Sequence, residues 1–404
     1  MSAAARAFCA VARSALHAPF REFMTRFFDH EFPLVLRSGE TLPSFRLAYE
    51  IHGTLNADAS NAILLFHALS GSQHAAGFNN DVPGTDGRWT EDLYDGWWSD
   101  FIGTGKALDT NKYCIICANS LGGCYGSTGP ASENPATGQP WGSAFPHVSV
   151  SDIVASQMLL LDHLGIHTLH AVVGPSVGGL CALAVATQYP DRVRLVVPIA
   201  SGGSTTVLNR LFLFEQILAI ENDPNFNAGD YYRTSPPTYG LALARMISHK
   251  SFVHLDEIET RARGEVKQPG QGLAWYRLRD SIESYMLHQG KKFVTRFDAN
   301  TYLRICEAWS VFDPVAEAGA ASWEALLEPC RRHGHHFLIF SIDSDFCFYP
   351  EEQSALVRHL REAACDVMHI TVHSLKGHDS FLLEPLLYTP HLAYALEAAK
   401  PVPA

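Results

Sequence analysis

The chain has 404 residues, a formal net charge of −12, 47% hydrophobic residues and 18% charged residues. That length suits a core domain with a sizeable insertion, or two domains. The acidic balance, with no basic block, argues against nucleic acid or an anionic membrane surface as partner, and no stretch is long and apolar enough to span a bilayer.

The nine cysteines are odd in number and scattered. Several fall inside predicted strands or helices, among them Cys114, Cys117, Cys181 and Cys306. This reads as reduced, buried thiols in a reducing compartment. Cys114 and Cys117 have C-x-x-C spacing within an apolar strand, so their side chains are expected on opposite faces, against a shared redox or metal role. His333, His335 and His336 precede a strand and read as loop surface, not as metal ligands. No metal site is expected.

In chain order, Met1–Arg21 carries Arg6, Arg13 and Arg21 and no acid before Glu22. That resembles a weak amphipathic targeting segment, but the preferred reading is a disordered or misassigned start, with Met24 as an alternative initiator. Phe32–Leu36 and Ser44–His52 read as an opening hairpin turned at Ser38-Gly39. Ala62–His67 is an apolar strand that runs into the small-residue loop Ala68–Ser72. From Gly77 to Asp95 the chain reads as loop. Lys106 belongs to a lone G-x-G-K string without P-loop spacing, a very weak phosphate signal. Tyr113–Ala118 is the next strand, followed by the glycine-rich loop Leu121–Pro130. Val150–Leu164 has helical spacing, with Ser149 or Ser151 as cap.

Then comes the stretch that carries most information. His170–Val173 reads as a buried strand, Gly174-Pro175-Ser176-Val177-Gly178 matches G-x-S-x-G, and Leu180–Tyr189 reads as a helix. Strand, tight turn and helix in that order make a nucleophile elbow. Small residues are needed two positions either side of a serine held on so sharp a turn, and Gly174 and Gly178 meet that need. Val193–Ile199 is another buried strand. From Leu208 to about Ala321 the pattern turns predominantly helical, with breaks at Asp223-Pro224, Ser235-Pro236-Pro237 and Pro269-Gly270. The strand–helix rhythm then resumes with His336–Ser341, Glu351–Ala363, Val367–Val372 and a last helix near Pro385–Ala399.

The expected fold class is therefore α/β: an α/β-hydrolase fold with a mainly parallel sheet covered by helices and an inserted helical lid. The expected domains are an N-terminal extension, possibly disordered, over 1–31; a hydrolase core over 32–202 and 322–404; and a lid over 203–321. In that fold the acid and the histidine follow the serine and sit on loops after strands. His378, after the last strand, is the candidate base for Ser176. Asp343 and Asp345 compete for the acid role, and Asp345, further out on the loop, is preferred. The oxyanion hole needs two backbone N–H groups: Val177 follows the nucleophile, and Leu69 is the choice from the loop after the early strand.

Several motifs together resemble those of the homoserine O-acetyltransferases, α/β-hydrolase-fold enzymes of methionine biosynthesis. They are His67-Ala68-Leu69-Ser70-Gly71, Gly105 through Thr110, Leu121 through Ser132, Asn134-Pro135, Phe145-Pro146, Gly240 through Arg245, Arg296-Phe297-Asp298-Ala299-Asn300, Ser344-Asp345 and Gly377-His378-Asp379. The resemblance runs from about Phe32 to the last helix. It implies a ping-pong transfer of acetyl from acetyl-CoA, used as a substrate and not as a resident cofactor, through Ser176 to L-homoserine. It implies Ser176, Asp345 and His378 as triad, Arg245 on a lid helix for the amino-acid carboxylate, and Asp379 for its ammonium. It further implies a cytoplasmic homodimer joined through lid helices. One departure stands out: where the family often has tyrosine after the Arg245 helix segment, this chain has Phe252. The competing readings are an ester hydrolase on the same scaffold, a transferase using serine or another hydroxyl acceptor or succinyl-CoA as donor, and a non-catalytic binding module.

Overall fold

The computed structural model describes residues 25–265, 273 and 275–399. The possible targeting segment and Met24 lie outside the described residues. A single large sheet organises the rest. Its strands are β1 (Arg26–His30), β2 (Phe45–His52), β3 (Ala62–Leu65), β4 (Cys114–Ala118), β5 (Leu169–Pro175), β6 (Val193–Ile199), β7 (His336–Ile342) and β8 (Asp366–Val372). They lie in the spatial order β1-β2-β4-β3-β5-β6-β7-β8. β2 pairs antiparallel with both its neighbours, and every other pairing is parallel.

The central strands β3, β4, β5 and β6 are apolar and almost wholly buried, as strands covered on both faces must be. Alternate residues feed two cores. Cys114 and Ile116 join the cluster on one face, Ile115 and Cys117 the cluster on the other. The C-x-x-C thiols therefore point apart, and burial raises both pKa values.

The opening hairpin forms differently from the sequence expectation. The antiparallel partner of β2 is Arg26–His30, inside the stretch assigned to the N-terminal extension. Phe32–Leu36 is not its partner. Leu34–Val35 instead pairs with Thr41–Leu42 in a two-residue ribbon around the Ser38-Gly39 turn. Pro33 lacks the N–H a longer ladder would need. His335 is also not surface: it is buried and its Nε2 lies 2.7 Å from the Pro190 carbonyl. His336 is exposed and pairs with Asp366. Among the described residues no cluster of three or more metal-ligating side chains occurs, and no helix is long and apolar enough to cross a membrane.

The helices of ten residues or more are α1 (Val150–His163), α2 (Val177–Gln188), α3 (Val207–Glu221), α4 (Thr238–Phe252), α5 (Leu255–Glu265), α6 (Ser281–Val294), α7 (Ala299–Ser310), α8 (Trp323–Arg332), α9 (Pro350–Glu362) and α10 (Thr389–Ala398). Ser149 caps α1 in a capping box with Asp152. α2 is buried along nearly its whole length, which explains why its sequence is apolar all round. α3 to α8 all fall between β6 and β7, and α4 and α6 line a cavity together with Ser176 and His378.

Candidate active site

The elbow between β5 and α2 holds Ser176 at φ 58°, ψ −128°, a conformation that costs a non-glycine residue of order 1–3 kcal/mol. The surrounding contacts enforce it. A Cβ on Gly174 would sit 2.0 Å from the Gly178 carbonyl oxygen, and one on Gly178 would sit 2.8 Å from that of Phe66. Only glycine at both positions lets strand, turn and helix close. The Ser176 N–H donates to Ile199 O on β6 at 2.8 Å, which pins the turn to the sheet.

The loops after β7 and β8 meet this serine. His378 Nε2 lies 2.9 Å from Ser176 Oγ, and His378 Nδ1 lies 2.7 Å from Asp345 Oδ2. All three residues are buried. The other oxygen of Asp345 accepts the N–H groups of Cys347 at 2.7 Å and Phe348 at 2.9 Å, so the carboxylate is fixed in place. The backbone before the histidine is fixed as well. Gly377 has φ +69°, and a Cβ there would lie 2.6 Å from the backbone N of His254, at the start of the lid turn into α5. Asp343, the competitor, faces away. Its Oδ2 pairs with the exposed His373 at 2.7 Å and its Oδ1 accepts the Ser374 N–H.

On the other side of the serine is the turn Ala68-Leu69-Ser70-Gly71, closed by Gly71 N–H to Ala68 O at 2.9 Å. His67 holds this turn. Its Nδ1 lies 2.7 Å from Ala68 O, and its Nε2 accepts the Ser120 N–H at 3.1 Å. The ring must then carry its proton on Nδ1. Burial depresses its pKa to about 4, which keeps it neutral near pH 7. The carbonyl of Ala68 and the N–H of Leu69 share one planar peptide unit and point in opposite directions. Fixing the first therefore aims the second. Val177, the other oxyanion candidate, opens α2, where backbone N–H groups have no intrahelical acceptor.

A cavity of about 320 Å³ opens beside Ser176 and His378. Ser176, His378, Leu69, Arg245, Asp379 and Phe252 all line it. Arg245 reaches in from α4. Its guanidinium lies 4.9 Å from the Phe293 ring centroid and 5.2 Å from that of Phe252, and its Nη1 is buried without a hydrogen-bond partner. Burial, reinforced by nearby Arg296, lowers its pKa. Burial raises that of Asp379, against the opposing pull of His378 and Arg245. Phe252 also lies 5.9 Å from the His378 ring. The Gly77–Asp95 loop forms the mouth, where Asp92, Leu93 and Asp95 line the cavity.

A family model for the alpha/beta hydrolase fold matches residues 61–373. The homoserine O-succinyltransferase of Aromatoleum aromaticum is 43% identical over 89% of this chain and 93% of its own. The homoserine O-acetyltransferase of Methanohalobium evestigatum is 41% identical over 89% of this chain and 70% of its own. The chain belongs to the homoserine O-acyltransferase family. It is thus an enzyme of the α/β-hydrolase class. Among solved structures, that of esterase E22 superposes with a TM-score of 0.82 at 26% identity, covering 92% of this chain and 99% of its own.

Beside the residues singled out from the sequence, this family member brings others to the cavity: Trp97, Gln289, Lys292 and Arg296. Sequence reasoning gave none of them a role. Arg296 stood within the R-F-D-A-N motif, which was the available signal. Lys292 pairs with Asp92 at 3.0 Å across the mouth.

Proposed function

We propose that the protein is an acyl-CoA-dependent homoserine O-acyltransferase working through a Ser176 acyl-enzyme. One observation carries this reading: the Ser176–His378–Asp345 hydrogen-bonded chain opens into a cavity that also holds a buried guanidinium nitrogen with no partner and a desolvated carboxylate. An ester hydrolase has no use for such a charge pair. An amino-acid acceptor does: Arg245 takes the carboxylate and Asp379 the ammonium.

In the first half-reaction Ser176 Oγ attacks the thioester carbonyl as its proton passes to His378 Nε2. The oxyanion forms against the N–H groups of Leu69 and Val177. The C–S bond breaks, CoA leaves with the proton from His378, and the acyl group stays on Ser176. In the second, His378 takes the proton of the homoserine hydroxyl, whose oxygen attacks the acyl-enzyme. Collapse of the second oxyanion breaks the bond to Ser176 Oγ, and His378 returns the proton to that oxygen. Asp345 holds the imidazole tautomer and balances its transient charge throughout.

The donor we propose is acetyl-CoA. Arg245 Nη1 is buried beside the cavity without a hydrogen-bond partner, and homoserine's carboxylate claims it. Arg296 Nη1 is already bonded to Ser70 O and Tyr125 OH, and Lys292 pairs with Asp92. A succinyl group would bring its terminal carboxylate to Arg296 or Lys292, in competition with those contacts. The succinyltransferase relative at 43% identity supports that second reading. Incubation with homoserine and equal acetyl-CoA and succinyl-CoA, with mass detection of the O-acyl products, decides the donor. CoA release at the same rate with and without homoserine, and no O-acylhomoserine, would sink the transferase reading.

We further propose a homodimer through lid helices. Val207, Leu211, Phe214 and Leu218 recur at helical spacing along α3 and are 72%, 56%, 60% and 46% exposed, a stripe suited to a second copy. The eight described cysteines are all buried free thiols, which supports a reducing, cytoplasmic setting.

A further inference from the structure

We infer that Arg296 is a positioning residue for the oxyanion hole, through which the lid helices hold the loop that carries Leu69. This rests on the reading of Ser176 as nucleophile and Leu69 N–H as oxyanion donor.

Arg296 follows α6, on the lid side of the cavity. Its Nη1 donates to Ser70 O at 3.2 Å and to Tyr125 OH at 3.1 Å. The Tyr125 hydroxyl in turn donates to the backbone carbonyl of Arg296 itself at 2.8 Å. The guanidinium also packs on the Phe293 ring, 5.1 Å from its centroid. Residue, ring and hydroxyl close a loop of contacts, so the guanidinium is fixed before any substrate arrives.

What it grips is the far side of the Ala68–Gly71 turn. That turn has two carbonyls beside Leu69. Ala68 O is held from below by His67 and Gly71, and Ser70 O is held from above by Arg296. With one carbonyl anchored, the turn could still pivot. With both anchored, the Leu69 N–H keeps one direction. The contact joins residues 226 positions apart, so it makes the direction of an oxyanion donor depend on the seating of the lid. Arg245 and Arg296 share the Phe293 ring but face different tasks: Arg245 has a free nitrogen for substrate, and Arg296 spends Nη1 on protein.

The two roles separate in kinetics. Both half-reactions pass through an oxyanion, so loss of Arg296 must slow both equally, in kcat, with the KM of donor and acceptor nearly unchanged. Removing an oxyanion donor outright costs about 10²–10³ in kcat, and misaiming one should cost roughly ten- to a hundredfold. The test is Arg296→Met, read by the p-nitrophenol burst from p-nitrophenyl acetate and by acyl transfer to homoserine. The burst reports acylation of Ser176 whatever the natural donor and acceptor are, so the inference is judged even if homoserine proves the wrong acceptor. Parallel losses at constant KM are the expected result. A loss confined to one half-reaction, a raised KM for one substrate, or an unchanged burst rate overturns it. Should Arg296→Met fail to fold, Tyr125→Phe decides alone. It removes one hydroxyl that anchors the guanidinium, and it must give a smaller loss, again equal in both half-reactions. Unequal or absent losses in that variant overturn the inference equally.

Discussion

The loops on the sheet and the helices above them face the same cavity with opposite degrees of commitment. On the sheet side, Ser176, Asp345 and His378 each have their polar atoms engaged with one another or with backbone, and Gly174, Gly178 and Gly377 leave no room to shift. On the lid side, Arg245 keeps a buried nitrogen without a partner and α3 shows an apolar stripe to solvent. A preorganised donor set suits a reaction step that never varies. An unsatisfied buried donor costs about 1–3 kcal/mol unless something binds it. On the proposed function, the difference assigns chemistry to the sheet and recognition to the helices above it, and each part of that division can be broken separately.

The largest effect on turnover should come from the sheet. Ser176→Ala should reduce kcat by roughly 10⁵–10⁶ in both half-reactions, since the acyl-enzyme cannot form. Intact-mass measurement after brief mixing with acetyl-CoA should show one added acetyl on the native chain and none on the variant. Near-native turnover would remove Ser176 from the mechanism. Next comes the acid. Asp345→Asn should cost about 10⁴ in kcat by favouring the wrong imidazole tautomer. Asp343→Asn weakens an exposed ion pair with His373, of the kind worth about 0–1 kcal/mol, keeps an oxygen for the Ser374 N–H, and should leave kcat within about twofold. Comparable losses in the two variants would contradict the geometry at His378.

Arg245→Ala tests the lid. A charge-assisted contact in a desolvated site is worth about 1.5–3 kcal/mol, so transfer to homoserine should fall roughly ten- to a hundredfold. CoA release without acceptor should hardly change. If both half-reactions fall together, Arg245 supports the fold and the division between chemistry and recognition fails at that point.

The sheet side was also the more legible in the sequence, for the same reason. Apolar runs such as Ala62–Leu65 and Val193–Ile199 mark strands buried on both faces, and the need for glycine at 174 follows from a contact with Gly178, four residues on. Strand β1 was missed because Arg26-Phe27-Phe28-Asp29-His30 is a charged edge strand with little alternation. Buried His335 was misread because its acceptor, Pro190 O, lies 145 positions away. The contact of Arg296 with Ser70 O has no local signature either. Only tertiary packing brings those atoms together, and a motif can mark the residue without telling what it touches.

The smallest effect on turnover should come from a buried carboxyl on the sheet side that is left unsatisfied. Glu352, on α9, is 4% exposed, and neither of its carboxyl oxygens has a hydrogen-bond partner. The nearby Asn209 amide donates to Cys347 O, and its pull on Glu352 is the smallest of the effects on that carboxyl. Burial first, and then the negative charge of Asp345, push the Glu352 pKa up to about 9. The folded protein therefore keeps this proton long after the unfolded chain, with its ordinary carboxyl, has lost it. The native state binds more protons than the unfolded state between about pH 4.5 and 9, so stability must fall as pH rises through that window, by at most about 1.4 kcal/mol per pH unit. Glu352→Gln keeps the shape and cannot ionise. Its Tm should match the native value near pH 4.5 and exceed it by a margin that grows steadily to pH 8, while kcat stays within about twofold, because Asp345 keeps its bonds to His378, Cys347 and Phe348. Melting curves of the two proteins across that range read the difference directly. Parallel curves would mean that Glu352 is ionised in the fold, and that a partner for its charge exists beside Asp345.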